Sequence, residues 1–590
     1  MNRNLLLLML TVPLWQGCIG CGSPNVDATS LESILPTAWE INLRNAPSEA
    51  ASGELFADRV VQLDRVLEVL DEAVNRDNVR GLFLRVGPFG GNYGLAQDLS
   101  DAINLVRERD KPVHCHFEVA DNAAWTLLAP SCDRISMTPA GQLDLVGIAA
   151  QAAFLGGMLS EFGVRADLMQ VGRYKGAAEP MTEAEMTPDV RTSLETLVGG
   201  LYDGLSSAVQ ARGRDAAEVD DLINRGPFDA GQARDERLVD DVGFDDEARE
   251  HLRLAAGVAR VRPKSLTRNS SEGSLEDLIQ ILAGGGAEGG PQGSRIAVAR
   301  LSGTITDADQ RGADSGRSGP FVRQMREFAD DNDIRAVVLR IDSPGGSALA
   351  SDRMWHAVRR VAGRKPVIVS VGNMAASGGY YIASAATRIL AQPSSLVGSI
   401  GVVGGKVEFS GLVEDADIGV EIIQRGQNAA WSSPLRPFTP EERVRVERMM
   451  TRTYDRFIRR IATGRDMTPE EIAPGAEGRI MVGTQALELG LVDEIAGLTT
   501  AIRQACDARA EAEGAASDSF CPVEYWPRPL NPFEELSELM QEPGVSAPRR
   551  ALERSVGVPL SGELAYGADL LRLLHQEHML LALPFSLQIR

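Results

Sequence analysis

The chain has 590 residues, with 82 acidic and 60 basic side chains and a formal charge of −22. Two to four domains are expected at this length, and 44 % apolar residues suffice for real cores. The acidic balance argues against nucleic acid as a partner, because phosphate binding needs a basic surface.

The first segment reads as an export signal over residues 1–21. Arg3 supplies a positive charge, and Leu5 to Leu14 is an apolar run too short to span a bilayer. Gly17-Cys18 and Gly20-Cys21 follow, each a small residue before a cysteine as in a bacterial lipoprotein signal, although Trp15 stands three before Cys18. Lipidation of Cys18 or Cys21 is one expectation; plain secretion or an uncleaved anchor are the others. Four cysteines remain: Cys115, Cys132, Cys506 and Cys521. Export permits disulfides. The sequence-local pairs are Cys115–Cys132 and Cys506–Cys521, but two other connectivities and free buried thiols stay open.

Ile41 to Asp71 carries a strand-like start and an amphipathic helix. Val79 to Val86 reads as a buried strand, and the same pattern returns from Ile334 to Ile341, 255 positions on (79 to 334). Lys111-Pro112-Val113 recurs as Lys365-Pro366-Val367, and Asp133-Arg134-Ile135 as Thr387-Arg388-Ile389, both at 254 (111 to 365, 133 to 387). Leu238-Val239-Asp240 recurs as Leu491-Val492-Asp493, at 253 (238 to 491). The chain is therefore a tandem duplication of one α/β unit, strands alternating with helices. The halves run over 36–261 and 295–505. A Ser- and Gly-rich linker, 262–294, joins them. An appendage, 521–590, has no counterpart in the first half and is expected to dock on the core or on a neighbouring subunit. Within it, Leu570 to Leu583 reads as helical.

The second half contains Val367 to Val371, a β-branched strand pattern, and Ala375 to Ala386, a small-residue helix pattern, with Ser377 and Gly378-Gly379 between them. A serine at the mouth of a helix is an ordinary N-cap. It is also where backbone N–H groups favour the oxyanion that a nucleophile creates. Comparison of the halves separates these readings. Position 123, 254 before Ser377 (377 − 254), is Ala123 in Asp121-Asn122-Ala123. Conversely, Lys175 of the first half falls on Ala429 (175 + 254). One half holds a serine without the lysine, the other a lysine without the serine. A serine hydroxyl needs a base, and a lysine serves when desolvation or a nearby positive charge lowers its pKa. Lys175 has small neighbours that permit burial; an ordinary solvated lysine is the plain alternative. The turn Asp342-Ser343-Pro344-Gly345-Gly346-Ser347 follows a strand. The N–H groups of Gly346 and Gly378 are the candidate oxyanion donors, although a tight turn alone would read similarly.

These segments, with Leu396 to Val402 and Tyr174-Lys175-Gly176-Ala177-Ala178-Glu179-Pro180, resemble the signal peptide peptidase A (protease IV) family in its long, two-half form. The resemblance runs from residue 36 to about 505. It implies the Clp protease/crotonase fold class with repeated ββα units. It also implies a Ser/Lys dyad: Ser377 as nucleophile and Lys175 as general base and acid. No metal or organic cofactor is implied. The implied partners are signal-peptide remnants and other unfolded apolar peptides, cleaved outside the cytoplasm by a membrane-associated homotetramer. In this sequence the anchor would be the lipidated Cys18 or Cys21, facing the periplasm. Three features depart from the family: its usual N-terminal transmembrane helix is replaced by a lipoprotein-like start, Gly176 stands where Ser is expected, and the tail after Cys521 has no match. Two rivals share the fold. An acyl-CoA-processing crotonase would also want an oxyanion hole but no Ser/Lys pair, and a catalytically silent exported scaffold or chaperone-like ring would need neither.

Overall fold

The computed structural model describes residues 35–49, 61–266, 293–308, 316–516, 521–526, 579–581 and 588–589. The export signal, most of the linker and most of the tail lie outside these residues.

The first half places strands β1 (Thr37–Leu43), β2 (Val79–Val86), β3 (Val113–Asp121) and β4 (Arg134–Asp144) in sequence order. After β5 (Ala150–Gln151) and β6 (Arg165–Val171), the short strands β7 (Phe228–Asp229), β8 (Asp241–Val242) and β9 (Val261–Pro263) complete it. Its sheet runs β7-β4-β3-β2-β1-β9, with β8 also on β4. The second half has β10 (Arg295–Ser302), β11 (Ile334–Ser343), β12 (Gly346–Ser347), β13 (Val367–Ala376), β14 (Arg388–Ala391), β15 (Leu396–Gly398) and β16 (Val402–Glu408). It continues with β17 (Ile480–Val482), β18 (Glu494–Ile495) and β19 (Val523–Trp526). Its sheet runs β17-β15-β13-β11-β10-β19, with β14 joining β13 to β18. The two orders are the same, so the duplication read from the sequence is a duplication of the fold.

One expectation fails here. The chain after Cys521 has a counterpart after all: β19 pairs parallel with β10 as β9 pairs parallel with β1. The similarity is in backbone pairing, which side-chain comparison does not see. The helix Leu498–Glu513 likewise carries the second half past 505. Both sequence-local cysteine pairs are disulfides, Cys115–Cys132 and Cys506–Cys521. The second ties that helix to Cys521, two residues before β19.

The central strands are apolar on both faces because both faces are covered. Successive side chains alternate between faces. Ile296, Val298, Ala336, Val338 and Ile368 are buried with the core of the first half, alongside Trp39, Ile41 and Leu99. Their neighbours Ala297, Ala299, Val337, Leu339 and Val369 face a second core. The halves are thus fused through a shared apolar layer. Polar bonds add register. Arg340 of β11, fully buried, pairs with Asp98 on the helix Tyr93–Arg107 of the first half. Asp98 also accepts from Gln392 Nε2 (2.9 Å) and the Leu498 N–H (3.0 Å).

The joint that matters for the site is a strand pair. β6 of the first half runs antiparallel to β16 of the second, from Arg165↔Glu408 to Val171↔Val402. A four-stranded sheet, β12-β20-β16-β6, results. Its remaining member, β20 (Met579–Leu581), belongs to the C-terminal tail, where a helix was expected. The reason is that β20 finds strand partners on both sides, β12 and β16, which satisfy its backbone without a helix. The last described strand, β21 (Gln588–Ile589), pairs with β5. Among the described residues the tail therefore docks on its own chain at three points, through β19, β20 and β21. Among the described residues no helix is long and apolar enough to cross a membrane.

Candidate active site

Ser377 sits where β13 ends. The strand runs beyond the predicted Val371 to Ala376, because Met374, Ala375 and Ala376 pair with β15. The helix that follows is correspondingly short, Gly378–Ala383 rather than Ala375 to Ala386. Between them Ser377 takes φ 53° and ψ −110°, a backbone conformation costing about 1–3 kcal/mol for a side-chain-bearing residue. Neighbouring bonds hold it there: the Ser377 N–H donates to Gly398 O (2.7 Å), and its carbonyl accepts from the Tyr381 N–H (2.8 Å). The ordinary N-cap reading is not realised, since the Ser377 side chain makes no capping bond. Its hydroxyl lies instead 2.8 Å from Lys175 Nζ.

Lys175 comes to Ser377 by way of β6. The β6–β16 pairing ends at Val171↔Val402, and the chain then turns at Gly172 (φ 109°). The Tyr174 N–H donates to Glu477 O (2.8 Å) and the Lys175 N–H to Gly172 O (3.1 Å). Gly401 gives the lysine stem its passage, because a Cβ there would lie 2.9 Å from Lys175 Cδ. Nζ is fully buried and has three partners: Ser377 Oγ at 2.8 Å, Ser399 O at 2.8 Å and Ser399 Oγ at 3.0 Å. Burial, with no carboxylate to offset it, pushes the amine's pKa well below an ordinary lysine's. A neutral amine has two N–H groups and one lone pair. Ser399 can take both N–H groups, which leaves the lone pair for the Ser377 proton.

Ser399 lies in the stretch Leu396 to Val402, where no spacing or motif assigns it a role. Its signal was weak, since one serine among many says nothing of a lysine 224 positions away in the chain. In the structure it also has positive φ (51°), and its N–H donates to Arg479 O (2.6 Å).

The glycine turn lies against the same point. Gly345 and Gly346 have φ of 97° and 154°, which the glycine pair allows. Ser343 Oγ accepts from the Gly345 N–H (3.2 Å) and donates to Gly303 O (2.7 Å). A Cβ on Gly345 would collide with the Leu581 carbonyl oxygen and lie 2.7 Å from Gly378 N. Gly345, the neighbour of the predicted donor Gly346, thus lies against Gly378, the other predicted donor. Gly346 itself faces Leu581 across an antiparallel pair.

Residues 106–259 and again 359–512 match the profile of peptidase family S49. The chain belongs to that family. The match falls once in each half, so the duplication is of the S49 domain. Similar relatives include Protease 4 of Salmonella typhi, 28 % identical over 85 % of this chain and 82 % of that protein. Protease 4 of Haemophilus influenzae is 27 % identical over 77 % of this chain and 74 % of its own length. The chloroplastic serine protease SPPA of Arabidopsis thaliana is 28 % identical over 75 % of this chain. The chain spans 65 % of that chloroplast protein. This S49 protein is accordingly a serine peptidase, with the expected fold class of two copies of one α/β unit.

Proposed function

We propose that this S49 peptidase is a Ser/Lys endopeptidase in which Ser377 is the nucleophile and Lys175 the general base and acid. The observation that carries this reading is the 2.8 Å approach of a fully buried Lys175 Nζ to Ser377 Oγ. Neutral Lys175 takes the hydroxyl proton as Oγ attacks a peptide carbonyl carbon. The carbonyl oxygen becomes the oxyanion, and the N–H groups of Gly346 and Gly378 stabilise it. As the C–N bond breaks, Lys175 returns its proton to the leaving amine, and an acyl ester on Ser377 remains. Lys175 then takes a proton from water, whose oxygen attacks the ester; as the Oγ–C bond breaks, Lys175 returns the proton to Oγ, which releases the acid and free Ser377.

The substrates proposed are cleaved signal peptides and other unfolded apolar segments. The place proposed is the periplasmic side of the cell envelope, with a lipidated Cys18 or Cys21 as anchor and a homotetramer as the working form. The leader sequence and the two disulfides support export. Hydrolysis of a fluorogenic apolar peptide by the protein from Ser23 onward tests the dyad. Ser377→Ala and Lys175→Ala are each expected to lower the rate by about 10³-fold or more. Normal activity in either variant would show that another group does the work. Labelling of wild type but not Ser377→Ala by an active-serine probe separates the enzyme from a silent scaffold.

A further inference from the structure

Glu477, Gly478 and Arg479 of the second half, just ahead of β17, bridge the lysine arm and Ser399. On the lysine side, the Tyr174 N–H donates to Glu477 O (2.8 Å). A Cβ on Gly478 would lie 2.4 Å from both N and Cα of Lys175, so main chain rests on main chain. On the other side, the Gly478 N–H donates to Ile400 O (2.7 Å), and Arg479 O accepts from the Ser399 N–H (2.6 Å). One tripeptide therefore fixes the backbone of the base and the backbone of the residue that holds its Nζ. Gly478 has φ 85°, so glycine is required there by conformation as well as by space.

Side chains repeat this grip. The guanidinium of Arg479 lies over the Tyr174 ring, 4.4 Å from its centre, and that of Arg173 lies 4.6 Å from it. Arg173 also donates to Tyr174 Oη (2.6 Å) and pairs with Glu477 (3.3 Å). That ion pair is exposed and holds the arm weakly. The Tyr174 ring is buried, and a cation over a desolvated ring is held more firmly. Arg479 Nε is buried without a hydrogen-bond partner among the described residues, which leaves the ring as the guanidinium's described contact. Tyr454, on the helix Pro440–Arg465, faces Glu477 from outside.

The duplication supplies a control. Phe228 pairs with Leu143 as Met481 pairs with Val397, so Gly226 stands where Arg479 does (479 − 253). Asn428 stands where Tyr174 does (174 + 254), and Ala429 where Lys175 does (175 + 254). The reverse junction thus lacks both members of the stack and also the lysine. The stack occurs where a base is seated.

We propose that Gly478 and Arg479 are positioning residues for the general base, holding the Lys175 arm against Ser399 and closed to water. This rests on the Ser/Lys reading above and adds to it. Arg479 acts through its planar contact with Tyr174. Its charge is not the cause of the amine's lowered pKa, which comes from burial.

The test is hydrolysis of a fluorogenic apolar peptide by the full-length protein, followed across pH. Arg479→Ala frees the arm and admits water to Nζ. The maximal rate is expected to fall about tenfold with KM unchanged. The rising limb is expected to move to higher pH by about half a unit, because less desolvation raises the amine's pKa. Arg479→Lys keeps the charge and loses the planar stack, and is expected to behave like Arg479→Ala. A wild-type profile in Arg479→Lys would mean that charge is what matters, and overturns the proposal. A lower rate in Arg479→Ala with an unmoved limb also overturns it, since loss of stability alone gives that result. Gly478→Ala displaces Lys175 itself and is expected to cost about 10²-fold in maximal rate. Should that variant not fold, the Arg479 pair, which alters only a half-buried side chain, still decides. Lys175→Ala, assayed alongside, separates the two readings. Hydrolysis that persists in it overturns the dyad and the seat together; hydrolysis lost in it, with Arg479→Ala like wild type, overturns the seat alone.

Discussion

The same turn is built twice in this molecule, and a carboxylate fills only one copy. In the first half the Asp121 carboxylate accepts from the Phe89 N–H (3.1 Å), the Gly90 N–H (2.7 Å) and the Ala124 N–H (2.8 Å). It caps the helix Asn122–Ser131, which begins at once. In the second half the corresponding position is Ala375 (121 + 254). There the strand continues, Ser377 takes its strained conformation, and the helix starts only at Gly378. Buried Trp125 stands where the second half has Gly379 (125 + 254). The first half has thus satisfied with a carboxylate the Ala124 N–H, whose counterpart in the second half is the Gly378 N–H (124 + 254). The lesson is that oxyanion-binding capacity depends on leaving donors without an internal acceptor. A glycine-rich turn by itself does not supply it.

The comparison is broken most severely by moving that carboxylate. Ala375→Asp places the first half's acid beside Gly345-Gly346 in the second. The carboxylate would take the Gly378 N–H, as Asp121 takes that of Ala124, and set a negative charge where the oxyanion forms. Peptidase activity is expected to fall by about 10³-fold, with circular dichroism unchanged because the first half folds around the same residue. Retention of activity would mean that the Gly378 N–H does not serve catalysis.

A smaller effect is expected at Ser399. Removing its hydroxyl takes one of three partners from Lys175 Nζ. The rate should fall about 10- to 100-fold, in line with the about 1.5–3 kcal/mol of a hydrogen bond to a charged group. The pH profile distinguishes orientation from general damage. Activity needs neutral Lys175, so it rises with pH through a value below the ordinary lysine range, as burial dictates. The Ser399 hydroxyl accepts from the amine and favours its charged form. Ser399→Ala should therefore move that limb to lower pH while lowering the plateau. A limb at the ordinary lysine value in the wild type would contradict the buried, desolvated base.

The lysine also costs the fold stability. Its pKa is lower in the folded state than in the unfolded chain, so the unfolded chain binds more protons between the two values. Stability then rises with pH across that window, and the penalty is largest at and below the lowered pKa. Lys175→Met removes the titrating group and keeps the volume. It is expected to raise unfolding stability by about 1–3 kcal/mol at neutral pH, an advantage that fades as pH approaches the ordinary lysine value. Urea unfolding at two pH values measures this, and a destabilised Met variant would show that the Ser399 contacts outweigh desolvation.

Much of this is legible in the sequence. The repeat located the strands from Val79 and Ile334 because buried parallel strands must be apolar throughout, and their β-branched runs survive comparison. Ser377 and Lys175 emerged because each half lacks what the other holds. Other features were hidden for physical reasons. The β6–β16 pair joins segments far apart in the chain through backbone groups that every residue has. β19 and β20 are too short for periodicity, and the three residues of β20 are as compatible with a helix as with a strand until their partners are known. Ser399 acts through its position after β15 and carries no motif of its own. Asp121 was visible as a residue, but its role depends on which N–H groups the turn brings to it.

The least effect is expected from restoring the serine alone. Ala123→Ser in a Ser377→Ala background returns a hydroxyl to the first half at the position equivalent to the nucleophile. Ala123 lies inside a regular helix, with no positive φ to turn the side chain out. It is fully buried, and the nearby turn N–H groups remain bound to Asp121. Lys175 stays engaged with Ser399 at the other site. Each missing element alone would cost orders of magnitude in rate, so hydrolysis should stay at the Ser377→Ala background. Any recovery would mean that the first half keeps a usable base and donors of its own, and the two copies would then differ by one residue where the geometry indicates at least three.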